Sequence, residues 1–353
     1  MRLSAFLPLL LASASFAQTA PAPAPDQDAP FTLRANSNIV FVPAQVETKS
    51  GEMIYTLKPS QFVLTDNGVP QTVHLDEDVD ALGLSLVVAV QCSRAAFSQF
   101  NNMRGLAEMI DDITGAAPRQ VAVVSYGSEP TLIGDFSSDA RTIVHNLNQI
   151  QPCDDPDADH LDAVAYSNHL LNDLAAKQKG RNRQAILLIG ETRDHGSHAR
   201  PADVIAALAN SNTVVDAVSY NPGKVEILNS LFHGQMGPGP LGLLISAVEA
   251  LKKNVPHTLA SLSGGEYINF DSQKGFDVGL HSLANHIHNY YLLSFQPAAN
   301  SAPGLHGLAL TVPDYSDARI HYRLSYYSGD QLPPDLPDEE KGKDKKKKHG
   351  IFE

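Results

Sequence analysis

Three short polar runs carry the side chains that could do chemistry. The first, Gln91-Cys92-Ser93-Arg94-Ala95, follows the apolar run LSLVVAV at 84–90. The second crowds Asp154, Asp155, Asp157, Asp159 and Asp162 into one stretch. The third starts at Glu191-Thr192, directly after QAILLIG at 184–190, and continues into Asp194-His195-Gly196-Ser197-His198. Acids spaced as Asp155-x-Asp157-x-Asp159 suit a Ca2+ loop, whose hard cation takes oxygen ligands. The sixth position of that loop is His160 rather than Gly, and the twelfth is Tyr166 rather than Glu, so the EF-hand pattern fails. A solvated loop whose acids favour a helix N-terminus explains most of the run, with a weak Ca2+ site as the alternative.

The third run contains Ser, His and Asp, the residue types of a hydrolytic triad. Nearness in sequence supplies neither convergence in space nor an oxyanion hole, and the G-x-S-x-G elbow is absent. It reads as a polar loop on a ligand-facing surface. Gly237-Pro238-Gly239-Pro240-Leu241-Gly242 formally matches G-x-G-x-x-G, but it follows no strand directly, and its two prolines remove amide donors that would hold phosphate. His281, His286 and His288 lie at spacings of five and seven, whereas helical metal pairs use three or four. H-E-x-x-H, C-x-x-C and P-loop signatures are missing. The expectation is a protein without catalytic residues, resident metal or cofactor.

The elements that must position these runs follow from hydrophobic patterning. LSLVVAV (84–90), QVAVVSY (120–126), QAILLIG (184–190) and TVVDAVSY (213–220) are apolar enough for strands buried on both faces. TLIGDF (131–136) has the pattern of an edge strand, and EYINF (266–270) of a further strand. Helical stretches alternate with them over 95–114, 161–177, 201–209, 241–253, 255–263 and 276–288. This alternation predicts an α/β fold, a doubly wound, mostly parallel sheet with helices on both faces, over residues 83–289. Residues 31–82 and 290–328 read as short strands with turns, including the hairpin signal Asp66-Asn67-Gly68. Neither flank holds enough apolar surface to stand alone, so the two should meet as one small β-sandwich with the α/β domain inserted between them.

Residues 1–17, MRLSAFLPLLLASASFA, have the charged start, apolar middle and small-x-small end of an export signal, with cleavage expected after Ala17. A Pro/Ala linker follows over 18–30. The end, 329–353, reads as a disordered acidic and Lys-rich tail whose Lys341–Lys348 stretch could associate weakly with an anionic envelope. The expected location is periplasmic or secreted. The net charge of −13, from 39 acidic and 26 basic residues, disfavours nucleic acid as a partner. No later apolar run reaches the length of a transmembrane helix.

The order of these elements resembles a von Willebrand factor type A domain. The flanks NIVFVPAQVETKSGEMIYTLKPSQFVLTDNGVPQTV and YYLLSFQPAANSAPGLHGLALTV resemble those of secreted bacterial "VWFA-related" proteins of the acidobacterial type. The resemblance covers roughly residues 31–328. It implies a metal-ion-dependent adhesion site on three loops at the C-terminal ends of the strands. The first loop of that site is D-x-S-x-S, and its positions fall here on Gln91, Ser93 and Ala95, so only the serine is kept. The second loop supplies a Thr, whose place falls on Ala158 or a neighbour among Asp157–Asp159. The third reads T-D-G, and Glu191 stands at the Asp. With Gln and Ala at two ligand positions and Arg94 beside them, Mg2+ binding of the usual kind is not expected.

In the resembled fold the first two loops are neighbours, which implies a disulfide between Cys92 and Cys153 where the metal would otherwise clasp them. Two unpaired thiols are the other reading. The expected function is that of an exported, non-enzymatic protein-interaction or adhesion module, meeting an unidentified protein through a degenerate site. Its ligand face would comprise Gln91, Ser93, Arg94, Ala95, Asp157, Ala158, Asp159, Glu191, Asp194 and His195. The alternative is a Ca2+-binding or metal-regulated module that uses Glu191 and the Asp154–Asp162 cluster.

Overall fold

Strand β5, Gly83–Gln91, is buried along its whole length, and its side chains alternate between two cores. Val87 and Ala89 face one, while Leu84, Leu86, Val88 and Val90 face the other. Period-two alternation explains why the strand must be apolar throughout. The same division holds for β8, Asn182–Gly190, where Ile186 and Leu188 join the first core and Leu187 and Ile189 the second. The computed structural model describes residues 39–76, 82–115, 117–178, 182–220, 239–288, 290–329 and 331–336. The expected export signal, the linker and the Lys341–Lys348 stretch lie outside them.

The central sheet has six strands in the order β10-β9-β8-β5-β6-β7. Strands β6 (Arg119–Tyr126), β8, β9 (Val214–Ser219) and β10 (Tyr267–Asn269) run parallel with β5, and β7 (Pro130–Ser137) closes one edge antiparallel to β6. The first core is covered by α3 (His160–Lys177), α4 (Pro201–Ser211), α5 (Gly239–Leu251) and α6 (Val255–Ser263). The second lies under α1 (Leu106–Thr114), α2 (Ala140–Asn148) and α7 (Gln273–His288). This is the expected doubly wound α/β sheet. From β5 the chain moves to β6 and β7 on one side, then returns to β8, β9 and β10 on the other. The reversal lies between β5 and β8, so Gln91 and Gly190 end their strands at the switch crevice, where open α/β sheets bind ligands.

The flanks form two four-stranded antiparallel sheets. One has the order β13-β1-β11-β4 and the other β14-β12-β2-β3. Strands β1 (Val40–Glu47), β2 (Val63–Asp66), β3 (Val69–Gln71) and β4 (His74–Asp76) precede the α/β segment. Strands β11 (Tyr291–Phe295), β12 (Gly304–Thr311), β13 (Arg319–Tyr322) and β14 (Ser325–Ser328) follow it. β1 pairs with β11 and β13, and β2 with β12, so each sheet needs both flanks. The sheets share a core that includes Val42, Val46, Leu64, Leu293, Phe295, Leu308 and Leu310.

The buried guanidinium of Arg323 joins this sandwich to α4. It donates to the carbonyls of Phe41, Ala209 and Ser325 and to Asn212 Oδ1, at 2.7 to 3.1 Å. Burial lowers its pKa to about 10. The carbonyl end of a helix is a favourable seat for a cation.

Two expectations are corrected. The stretch 95–114 is not one helix: a 3-10 turn over Arg94–Gln99 is followed by turns, and α1 starts only at Leu106. Asn101, Asn102 and Gly105 are poor helix formers in mid-span. The tail expected to be disordered from 329 is packed at its start. Leu336 is buried in the first core, and Arg200 bonds the Pro334 carbonyl and the Asp335 carboxylate, each at 3.1 Å. The three histidines of α7 do not converge: His281 and His288 contact Asp112, whereas His286 contacts Glu47 and Glu266.

Candidate functional site

At the switch crevice the Gln91 amide is clasped between strands β5 and β8. Its Nε2 donates to Ser93 Oγ at 2.7 Å and to Glu191 Oε1 at 2.9 Å. Its Oε1 accepts from the Glu191 backbone N–H at 2.8 Å. Turning the amide over would set an oxygen against the carboxylate and NH2 against N–H, so the bonds fix its orientation. Gln91 and Ser93 are both fully buried. The Glu191 carboxylate keeps its second oxygen near His195 Nε2, at 3.4 Å.

Beneath this pair lies His160, fully buried, with Nδ1 2.9 Å from the Ala158 carbonyl and Nε2 2.8 Å from the Glu191 carbonyl. Burial pushes the imidazole below its ordinary pKa, against carbonyl bonds and nearby carboxylates that favour the imidazolium. Tyr126 meets the His160 ring edge-on and sits against Gly190. A Cβ at Gly190 would lie 2.3 Å from the Tyr126 hydroxyl and 2.8 Å from Gln91 Oε1. The glycine is therefore required for these side chains to meet.

Cys92 and Cys153 form a disulfide with Cα atoms 5.1 Å apart. It ties the first loop to the second, and Cys153 N–H also donates to the Cys92 carbonyl. Arg94 turns outward to an exposed ion pair with Asp154 at 2.6 Å. Asp155 faces inward instead. It accepts from Ser128 Oγ at 2.5 Å and from the backbone N–H groups of Ser128 and Asp157. The Ser128 hydroxyl bond holds the Asp155 carboxyl below its usual range, against partial desolvation.

The third loop caps α3. Asp194 Oδ1 and Ser197 Oγ accept from Leu161 N–H, and Ser197 Oγ accepts from Asp162 N–H, all at 3.1 Å. Asp162 answers by accepting from the N–H groups of His198 and Ala199, at 2.9 and 2.6 Å. Asp159 occupies the N-cap position of α3, yet its side chain caps nothing. Its Oδ1 is buried and without a hydrogen-bond partner.

The structure thus brings Gln91, Ser93 and Glu191 together, as well as Asp159, Asp162 and Asp194. It does not gather the Asp154–Asp162 run around Glu191. Asp154 is taken by Arg94, Asp155 by Ser128, and Glu191 by Gln91 and His195. Nor do all ten expected positions form a contact surface. Gln91, Ser93, Ala158 and Asp159 are buried; amide, hydroxyl and backbone groups satisfy one another around Gln91 and Ser93, whereas Asp159 keeps one oxygen unpaired. Arg94, Ala95 and His195 are exposed, while Asp157, Glu191 and Asp194 are half-buried.

Sequence reasoning placed His198 on a ligand-facing loop without pairing it with Asp162, and it missed the site roles of His160 and, above all, of Phe97, which is 69% exposed just after β5. A helix was expected there, and only the break at Asn101-Asn102 could have signalled a loop. Among the described residues, no helix is long and apolar enough to cross a membrane.

No protein-family model matches this sequence, and no curated protein matches it either. Solved structures show similarity of fold. One is proximal thread matrix protein 1 from the mussel byssus, with 13% identity over 64% of this chain and 50% of that one and a TM-score of 0.40. Another is the conserved hypothetical protein BatB from Bacteroides thetaiotaomicron, with 15% identity over 57% and 100% and a TM-score of 0.39. A third is the vWF domain of the type V pili tip protein Mfa5 from Porphyromonas gingivalis, with 8% identity over 59% and 96% and a TM-score of 0.37. The chain spans about half the length of the byssus protein.

Proposed function

We propose that this chain is an exported, non-enzymatic interaction module of the von Willebrand factor A type, whose switch crevice is closed by an amide rather than by a metal ion. The observation that carries the reading is the Gln91 NH2 group, which stands between Ser93 Oγ and Glu191 Oε1. Those two oxygens are the ones that the resemblance would give to Mg2+. A cation needs acceptors and is repelled by N–H donors, so the donor set present does not suit it. Export is supported by the signal-like first residues and by the Cys92–Cys153 disulfide, which persists outside reducing compartments.

The contact surface is the outer rim of the same loops: Arg94, Ala95, Phe97, Arg193 and His195. An exposed aromatic ring with arginines beside it in sequence and across the crevice has the composition of a protein-binding hot spot. The partner is accordingly a protein, met without a bridging ion. The test is crosslinking of the disulfide-bonded protein to envelope proteins of its own producing cell, in the presence of chelator. A partner captured by the wild type and lost on Phe97→Ser, but kept on Val278→Ser in α7, supports the reading. A partner lost in chelator, or indifferent to Phe97, overturns it.

A further inference from the structure

A second group of side chains lies beside the crevice and takes no part in its closure. Oxygens of Asp159 and Asp162 and a ring nitrogen of His198 all lie within 4.8 Å of one another. That spacing lets one ion with bonds of about 2.0 to 2.4 Å touch all three. The residues come from two places: Asp159 is the N-cap of α3 and Asp162 lies in its first turn, while His198 belongs to the loop between β8 and α4.

The cluster is more than an acidic patch. Asp159 is 3% exposed, and its Oδ1 has no hydrogen-bond partner. Oδ1 faces Gly196 of the His198 loop, where an added Cβ would come within 3.3 Å of it. A carboxylate oxygen sealed from water and left unpaired is costly unless a proton or cation meets it. The N-terminal amides of α3 do not serve as its counter-charge, because Asp194 and Ser197 accept from them. Asp162 Oδ1 accepts one main-chain bond and retains a lone pair, while Oδ2 accepts the His198 N–H and lies 3.4 Å from His198 Nδ1, so the imidazole already stands against this carboxylate. His198 is well exposed, so an ion can enter from solvent and keep water in its open positions.

We propose that Asp159, Asp162 and His198 bind one divalent transition-metal ion of the Zn2+ type, which pins the loop after β8 to the start of α3. The imidazole selects the class: Ca2+ and Mg2+ take oxygen ligands, whereas Zn2+ accepts mixed nitrogen and carboxylate sets with a water in the fourth place. Gln91, Ser93 and Glu191 contribute nothing to this site, which stands or falls independently of the closed crevice.

The test is calorimetric titration and thermal unfolding of the disulfide-bonded protein with ZnCl2, MnCl2, CaCl2 and MgCl2 in turn. Zn2+ binding at one ion per chain is expected, with an upward shift of the unfolding midpoint that saturates with occupancy. His198→Ala removes only an exposed side chain, so the fold is kept, and it should weaken Zn2+ at least about tenfold. Asp159→Asn should abolish the Zn2+ shift without lowering the midpoint of the metal-free protein. Absence of Zn2+ binding, or Zn2+ binding unchanged in both variants, would overturn the assignment. So would a Ca2+ response stronger than that to Zn2+ and indifferent to His198→Ala, since that is an oxygen-only site.

Discussion

Gln91 and Glu191 are bonded to each other twice across the switch crevice: amide NH2 to carboxylate at 2.9 Å, and backbone N–H to amide oxygen at 2.8 Å. The pairing joins the ends of the two strands between which the sheet order reverses. It also saturates groups that would otherwise face a ligand. Gln91→Glu keeps the shape but sets a second carboxylate against the first with no cation between them. We expect a loss of about 3 kcal/mol, the cost of an uncompensated buried charge, read from urea unfolding in chelator at neutral pH. An unchanged midpoint would mean that the amide is not the closing element.

The Cys92–Cys153 bridge closes a loop with a sequence separation of 61. In the chain-entropy picture such a loop is worth about 4 kcal/mol. Cys92→Ser with Cys153→Ser should lower stability by roughly that amount, and reductant should do the same to the wild type but not to the double variant. Comparing denaturant midpoints with and without reductant checks this.

Gly190→Ala should be costly for steric reasons. Its Cβ would fall 2.3 Å from the Tyr126 hydroxyl and 3.1 Å from His160 Nε2, and both side chains are held by packing. A cost of about 2 kcal/mol or more is expected from overpacking, along with altered near-ultraviolet dichroism from Tyr126. Gly68→Ala offers a comparison: it meets no steric neighbour and is strained only by its positive φ of 84°.

In the sandwich core, His306 sits with Nδ1 2.8 Å from Asp66 Oδ1 and Nε2 2.6 Å from the Ala302 carbonyl, while the Tyr326 hydroxyl donates to Asp66 Oδ2. Burial pulls the imidazole down, but the Asp66 bond, the carbonyl and the Asp66 charge outweigh it, so its pKa is raised above 6.5. A raised histidine contributes stability that is fully present below its unfolded value and is lost as pH climbs through the folded one. Wild-type stability should therefore fall from near neutrality upward, and His306→Asn should flatten that part of the profile. Urea midpoints at pH of about 5.5, 7 and 9 would show it. An identical slope in the variant would assign the proton elsewhere, for instance to His286, which is also raised.

The sheet was readable because a strand buried on both faces leaves an uninterrupted apolar run, as at Leu84–Val90 and Ala185–Ile189. The polar residues that end those runs pointed directly to Gln91 and Glu191. Their burial was not readable, because it depends on a bond between residues 100 apart in sequence. The pairing of His198 with Asp162 stayed hidden for a similar reason: it spans 36 residues, through a loop whose path no periodicity records. Phe97 was misplaced on a helix because local apolar spacing does not reveal that Asn101, Asn102 and Gly105 stop the helix before it forms.

On the proposed function the crevice needs no Mg2+. The most direct test is the thermal midpoint of the wild-type protein in chelator and then in excess Mg2+, with Glu191→Gln measured in parallel. The same wild-type midpoint is expected in both conditions, because an amide already fills the place between Ser93 and Glu191. A rise with Mg2+ in the wild type that disappears in Glu191→Gln would contradict it and return a metal to the crevice.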